Sequence, residues 1–438
     1  MRDKSELLGM GDSPIVSQFR ALSEAGTNVP PIYNEGQLVS ENVWGWVLRT
    51  VVGTWTSLHD YKVYDDPVKG GIFTIPGDSE AAVNIAVLGD WASDTAESNL
   101  IAAQAKGNTE DEQKDYTIHL GDTYFVGKPE EIKANFFPEE GGAWPYGKTG
   151  SFALLGNHEM YSGGNSFFDD LLPRMGNTDG SQPQQASFFC LENQYWRIIG
   201  LDTGYDSLIQ PQRLSQNANL KIPPQQIAWL HDVVKLNDDK RGLIFLSHHQ
   251  CFSAFEQEFP NPLDTISTLM NPGRDVIWLW GHEHWMSVYG ANSLHNGSRV
   301  FARCIGNSGM PVELDANGGV KRPKSNFPHA PENRNLVLFD QREREVIGDK
   351  IRLGHNGYVV LTLQGAQLSI NYFDDNDGAG DGRQILGEVW KVDTGTGQIT
   401  GQSIHDYTIV MGDMDLAGQL STFLGAEPND AVGLPRPA

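Results

Sequence analysis

From residue 83 the chain alternates short apolar, largely β-branched runs with polar clusters rich in Gly, Asp, Asn and His. The runs are Val83 to Leu88, Tyr116 to Leu120, Phe152 to Leu155, Tyr195 to Leu201, Leu243 to Leu246 and Val276 to Trp280. Segments with helical spacing separate several of them. Thr95 to Lys106 is one; in another, Pro223 and Pro224 precede Ile227, Leu230, Val233 and Val234. Runs with no polar alternation predict strands buried on both faces, and their interleaving with helices predicts an α/β core. Before residue 83 the pattern differs. Pro-rich turns ("NVPPIYNEG") and a helical stretch from Glu41 to Asp60 suggest an N-terminal extension, partly helical, over 1–82. Beyond about residue 315 a polar loop leads to "YVVLTLQGAQLSINYF" and "QILGEVWKVD", which alternate as strands and flank "DDNDGAGDG". The expected division is the extension, a main domain over 83–375, and a C-terminal hairpin and tail over 376–438.

Composition narrows the class. With 39% hydrophobic and 20% charged residues in 438, the chain can bury a large core. Its formal charge of −24 repels polyanions, so no nucleic-acid partner and no anionic-membrane docking is expected. A small anionic substrate is still admissible if bound cations reverse the sign locally. Cys190, Cys251 and Cys304 are odd in number and widely spaced, which predicts reduced thiols. The N-terminus lacks the apolar run and cleavage site of a secretory signal, and "VWGWVLRTVVGTW" is short and broken by Arg49. The expectation is a cytoplasmic protein; a lone sequon at Asn296 does not change it.

Two stretches suggest functions that their context does not support. "GAWPYGKT", Gly142 to Thr149, fits the phosphate-cradling pattern G-x-x-x-x-G-K-[ST], yet it runs into the strand "GSFALLGN" and offers no helix N-terminus. "DDNDGAGDG" resembles a calcium loop, but a count from Asp375 puts Ala379 at the fifth ligand position and Leu386 at the twelfth. It reads as a solvated hairpin turn.

The residues that follow the strands are more telling. They are Gly89-Asp90, Gly121-Asp122, Gly156-Asn157-His158-Glu159, His248-His249 and Gly281-His282-Glu283-His284. Strand ends in an α/β sheet open into one crevice, so clusters spread over two hundred residues can converge. Taken singly, Gly-Asp is a turn and a lone His is packed or solvated. Together they offer two carboxylates, an amide oxygen and three imidazoles, a donor set suited to Mn, Fe or Zn more than to Mg or Ca.

This ordered set resembles the calcineurin-like metallophosphoesterases, and within them the purple acid phosphatase branch. The resemblance covers roughly residues 83–310, with "QQIAWL" and the strand pair near 358–373 also similar. It implies a sandwich of two mixed β-sheets flanked by helices, a catalytic domain over 83–375 and two metal ions at the strand ends. It makes Asp122 the bridging ligand, with Asp90 and His284 completing the first site and Asn157, His248 and His282 the second. His158 would stabilise or protonate the leaving oxygen as a hydroxide held by the metals attacks phosphorus. The implied activity is phosphomonoester hydrolysis; a phosphodiesterase or a catalytically silent scaffold are the alternatives.

The chain departs from that pattern near the first site. Asp90 is followed by Trp91 and Ala92, so no second histidine arrives there. The tyrosinate of the purple branch would stand at Phe125; Tyr124 lies one place early, a candidate for the metal or for the layer behind it. Iron-loaded protein is therefore expected to lack the tyrosinate absorption. Phe125 also replaces an Asp that elsewhere orients the third-block His, leaving Glu159 as a candidate for that role. His249 is a candidate substrate contact, Glu283 stands between two ligands, and His119 is expected in a hydrogen-bonded structural role. Arg174, Arg303 and Lys148 are the basic residues considered for the pocket.

Overall fold

Two eight-stranded mixed sheets pack face to face in the computed structural model. It describes residues 57–405 apart from 78–80, 211–214, 317–318, 321–323, 325–331, 333 and 348–350. The helix expected from Glu41 falls almost wholly outside the described residues, as does the tail beyond His405.

One sheet runs, in spatial order, β1 (Ile72–Thr74), β6 (Phe189–Glu192), β7 (Trp196–Leu201), β8 (Gly242–Ser247), β9 (Asp275–Trp280), β11 (Arg299–Ile305), β10 (Met286–Ser293) and β14 (Leu336–Phe339). The other runs β20 (Gln398–His405), β19 (Arg383–Asp393), β18 (Gln367–Asp374), β17 (Gly357–Gln364), β2 (Val83–Leu88), β3 (Tyr116–His119), β4 (Gly150–Ala153) and β5 (Gly176–Asn177). Two short ribbons, β12 (Asp315–Ala316) with β13 (Gly319–Val320) and β15 (Glu345–Ile347) with β16 (Ile351–Leu353), stand outside them.

The apolar runs become strands because each has something to bury on both faces. Successive side chains alternate sides, so Ile85, Val87, Ile118 and Phe152 meet Ile198, Ile244, Leu246 and Ile277 between the sheets. Their neighbours point outward. Ala86, Leu88 and Ala153 pack beneath Ile101 and Ala105 of the helix Ala96–Lys106, which Thr95 and Ser98 cap reciprocally. On the far side Ile199, Leu243, Phe245 and Trp278 pack against Trp229 and Leu230 of the helix Pro224–Asp232 and Ile266 of the helix Pro260–Leu269. The expected α/β sandwich of two mixed sheets flanked by helices is thus the observed one.

The boundaries drawn from the sequence do not separate sheets. β1 pairs in parallel with β6, and β17 pairs with β2, so the hairpin after residue 375 adds β19 and β20 to the sheet that carries Asp90. Strands β2, β3 and β4 are parallel, as are β7, β8, β9 and β11, which sends the chain out of each sheet at the same end. The polar clusters occupy those ends.

Candidate metal centre

Asp90 follows β2, Asp122 follows β3, Asn157 follows β4, His248 ends β8, and His282 and His284 follow β9. Asp90, Asp122 and His282 adopt φ of 57°, 69° and 64°, a left-handed conformation that side-chain-bearing residues rarely take. The preceding glycines let each turn form so sharply. Two glycines also vacate space for the carboxylates. A Cβ on Gly156 would collide with Oδ1 of Asp122, and one on Gly281 with Oδ2 of Asp90. Strain gathered at three turns is tolerable only where surrounding structure holds them, a condition common at functional sites.

The side chains meet. His248 Nε2 lies 3.0 Å from Asn157 Oδ1, 3.3 Å from Asp122 Oδ1 and 3.2 Å from His282 Nδ1. On the other flank the Tyr124 hydroxyl lies 3.0 Å from Asp90 Oδ1, 3.3 Å from Asp122 Oδ2 and 3.0 Å from His284 Nε2. Asp122 therefore faces both groups. Asp90, Asp122 and His248 offer donor atoms within 4.8 Å of one another, and so do His248, His249 and His282. All but His282 and His284 among the six predicted ligands are buried.

Backbone groups fix the orientation of the rings. His248 Nδ1 donates to the Leu120 carbonyl at 3.1 Å, which turns Nε2 to the cluster. The His282 and His158 amides donate to Asp90 and Asp122, at 2.6 and 2.9 Å. Burial opposes charge on Asp122, but His248 and His158 beside it hold its carboxyl well below the usual range. Burial likewise opposes protonation of His248, and Asp122 overrides it, raising the imidazole to about 9. The pocket is built to hold positive charge. With two carboxylates, an amide oxygen and imidazole nitrogens converging on it, the donor set fits a divalent or trivalent transition metal.

Several expectations need correction. Tyr124, one place early in sequence, nevertheless brings its oxygen beside Asp90 and His284, two of the candidate ligands. Burial, followed by Asp90, pushes its phenol well above the ordinary value, so it is a donor to Asp90 here. His158 is oriented by the Phe125 main-chain carbonyl, which accepts from Nδ1 at 2.6 Å; a side-chain carboxylate is replaced by backbone. Glu159 serves elsewhere: it is buried and accepts the amides of Asp122, Thr123 and Gly156, tying two loops together. Among the described residues His119 has no hydrogen-bond partner on either ring nitrogen, and it sits among Trp91, Phe136 and Trp144. Glu283 is buried and accepts from Ser253 and Trp280.

None of the three basic residues is seen among the cluster's partners. Arg303 is fully buried against Glu388, Arg174 pairs with Glu139 and Glu140, and Lys148 is exposed just before β4. "GAWPYGKT" passes straight into β4 with no helix after it. The Asp-rich turn is not wholly solvated: Asp375 is buried between His355 and Arg344, while Asp377 is exposed.

Two neighbours lie outside the five clusters read from the sequence. Leu201-Asp202-Thr203-Gly204 repeats the strand-end pattern after β7, and the Thr203 hydroxyl accepts the His249 amide at 3.0 Å. Gln216 comes from the loop after Asp206 and places its amide nitrogen 3.1 Å from His282 Nε2. No strand leads into it, so nothing in the sequence pattern marks it.

Residues 83–286 match the model of the calcineurin-like phosphoesterase family. Among solved structures it is similar to GAP50, described as the anchor in the inner membrane complex of Plasmodium, at 13% identity over 81% of this chain and 95% of that one, with a TM-score of 0.43. It is also similar to PhoD, at 13% identity over 82% of this chain and 78% of that one, with a TM-score of 0.46. No curated protein sequence matches the chain. No described helix is long and apolar enough to cross a membrane.

Proposed function

We propose that the chain hydrolyses a phosphomonoester at a two-metal centre. Asp122 would bridge the ions, Asp90 and His284 would hold the first beside Tyr124, and Asn157, His248 and His282 would hold the second. The convergence of Asp122, Asn157 and His282 on His248 Nε2, within 3.3 Å, is the observation that carries this reading. Bound cations supply Lewis acidity, acidify water towards neutrality and offset the negative charge of a phosphoryl group.

The protein's own groups do the rest. His158 keeps Nδ1 on the Phe125 carbonyl and presents Nε2 at the rim, 3.7 Å from Asp122 Oδ2. Burial disfavours a second proton on this ring, so it is the imidazolium, formed towards acid pH, that can hand the Nε2 proton to the departing ester oxygen. His249, with Nε2 buried beside His282 and unpartnered among the described residues, is a second candidate for an oxygen of the substrate. Glu159 keeps the Asp122 and Asn157 turns in register by holding amides from both loops.

The test combines metal analysis with rates on a chromogenic phosphate monoester and the corresponding diester, in Mn, Zn and Fe. Asp122→Asn is expected to lose metal and activity together, with a rate fall of at least ~10³-fold, the scale of losing a main electrostatic element of a site. Turnover that survives this change would refute the bridging role. A preference for the diester would assign the alternative substrate, and metal-loaded protein inert on both would leave a scaffold.

A further inference from the structure

Resting on the proposed metal centre, we infer that Gln216 is a positioning residue for the second metal: its side-chain amide fixes the tautomer and tilt of His282. His282 uses its two nitrogens differently. Nδ1 faces the cluster, 3.2 Å from His248 Nε2, while Nε2 faces away and meets the Gln216 amide at 3.1 Å. A nitrogen that ligates a cation must carry a lone pair, so Nδ1 is bare in the loaded site and Nε2 holds the proton. An N–H so placed needs an acceptor. The amide oxygen and nitrogen of Gln216 exchange by a half-turn about the terminal bond, which turns the acceptor towards Nε2.

His282 has more need of such support than the other histidine of its site. His248 is fully buried and held by the Leu120 carbonyl, whereas His282 is half-buried, on a left-handed turn, and its outer nitrogen meets no backbone carbonyl among the described residues. Gln216 is itself held in place. Leu208 bridges to it, the Asn217 amide donates to the Ser207 carbonyl, and the Asn217 side chain donates to Asp206. These described residues of the segment after β7 thereby set Gln216 against the outer side of His282.

The test uses the full chain and Zn²⁺ alone, with affinity read by chelator competition and His282 read by long-range ¹H–¹⁵N spectra. Gln216→Leu is expected to weaken one of the two Zn²⁺ sites by ~10–100-fold, the usual cost of removing the partner of a ligating histidine, and to shift the His282 Nε2–H signal. Gln216→Glu, which keeps the acceptor, should bind Zn²⁺ at least as tightly as the wild type. Ser215→Asp, exposed and adjacent, controls for added charge and should change little. Melting temperatures within a few degrees of the wild type establish that the variants fold, and Gln216→Met replaces Leu if that variant does not.

Zn²⁺ affinity in Gln216→Leu within twofold of the wild type, with His282 unshifted, overturns the inference and leaves the metal centre standing. Equal weakening by Leu and Glu overturns it as well, because an acceptor would then not matter. Wild-type protein that takes up no Zn²⁺ refutes the centre itself, a result separate from either of these.

Discussion

His119 illustrates how a single side chain can oppose the fold that contains it. It lies inside β3 with both nitrogens unpartnered among the described residues, and burial holds its imidazole down at about 3. In the unfolded chain the same ring titrates near 6.5, so between these values the unfolded state binds more protons and stability falls as the pH drops. Above about pH 6.5 this penalty is absent. His119→Phe, which fits the box of Trp91, Phe136 and Trp144, is expected to raise the urea midpoint, and more at pH 5 than at pH 7.5. Equal gains at both pH values would mean that proton linkage plays no part. The sequence gives His119 no distinguishing mark: it is one histidine in an apolar run, and only the surrounding rings show that it lacks a partner.

At the scale of elements, a buried ion pair joins the two sheets. Arg303 on β11 forks onto Glu388 on β19, at 2.8 and 2.7 Å, and both are fully buried. Tyr372 and Trp390 donate to the same carboxylate, and Arg303 also donates to the carbonyls of Tyr289 and Ala302. Removing one partner leaves the other charged and dry. Glu388→Ala should therefore cost about 3–5 kcal/mol of stability, whereas Arg303→Met with Glu388→Met should recover at least half of it. Guanidinium midpoints decide; a single variant no less stable than the double one would refute the account. Arg303 also shows why the basic residues of the pocket could not be assigned from sequence. Its strand lies next to β9, which leads into the candidate ligands His282 and His284, yet its side chain faces the opposite sheet.

At the scale of the whole molecule, the C-terminal strands belong to the sandwich and are not an appendage. Trp390, Val392 and Ile399 lie in the core between the sheets, and β19 and β20 extend the sheet led by β2. Ending the chain at Asp381 would strip the edge of β18 and expose that apolar surface. The truncated protein is expected to aggregate or to melt well below the full chain, although every predicted metal ligand remains. A truncation as soluble and as stable as the intact protein would show that the strands are dispensable.

The sequence by itself determined the strand runs, their burial on both faces and the chemistry waiting at their ends. These are local properties, written in β-branched residues, glycines and the donor types that follow them. The five clusters could be named because each stands at a fixed offset from a strand. Only the tertiary structure decided how the surroundings hold them. It brought Tyr124 to Asp90, gave His158 a main-chain partner and Glu159 three amides, and set Gln216 against His282. The physical reason is that supporting hydrogen bonds depend on which loops cross at a strand end. That follows from strand order and from the angles of left-handed turns, and no spacing along the chain records either.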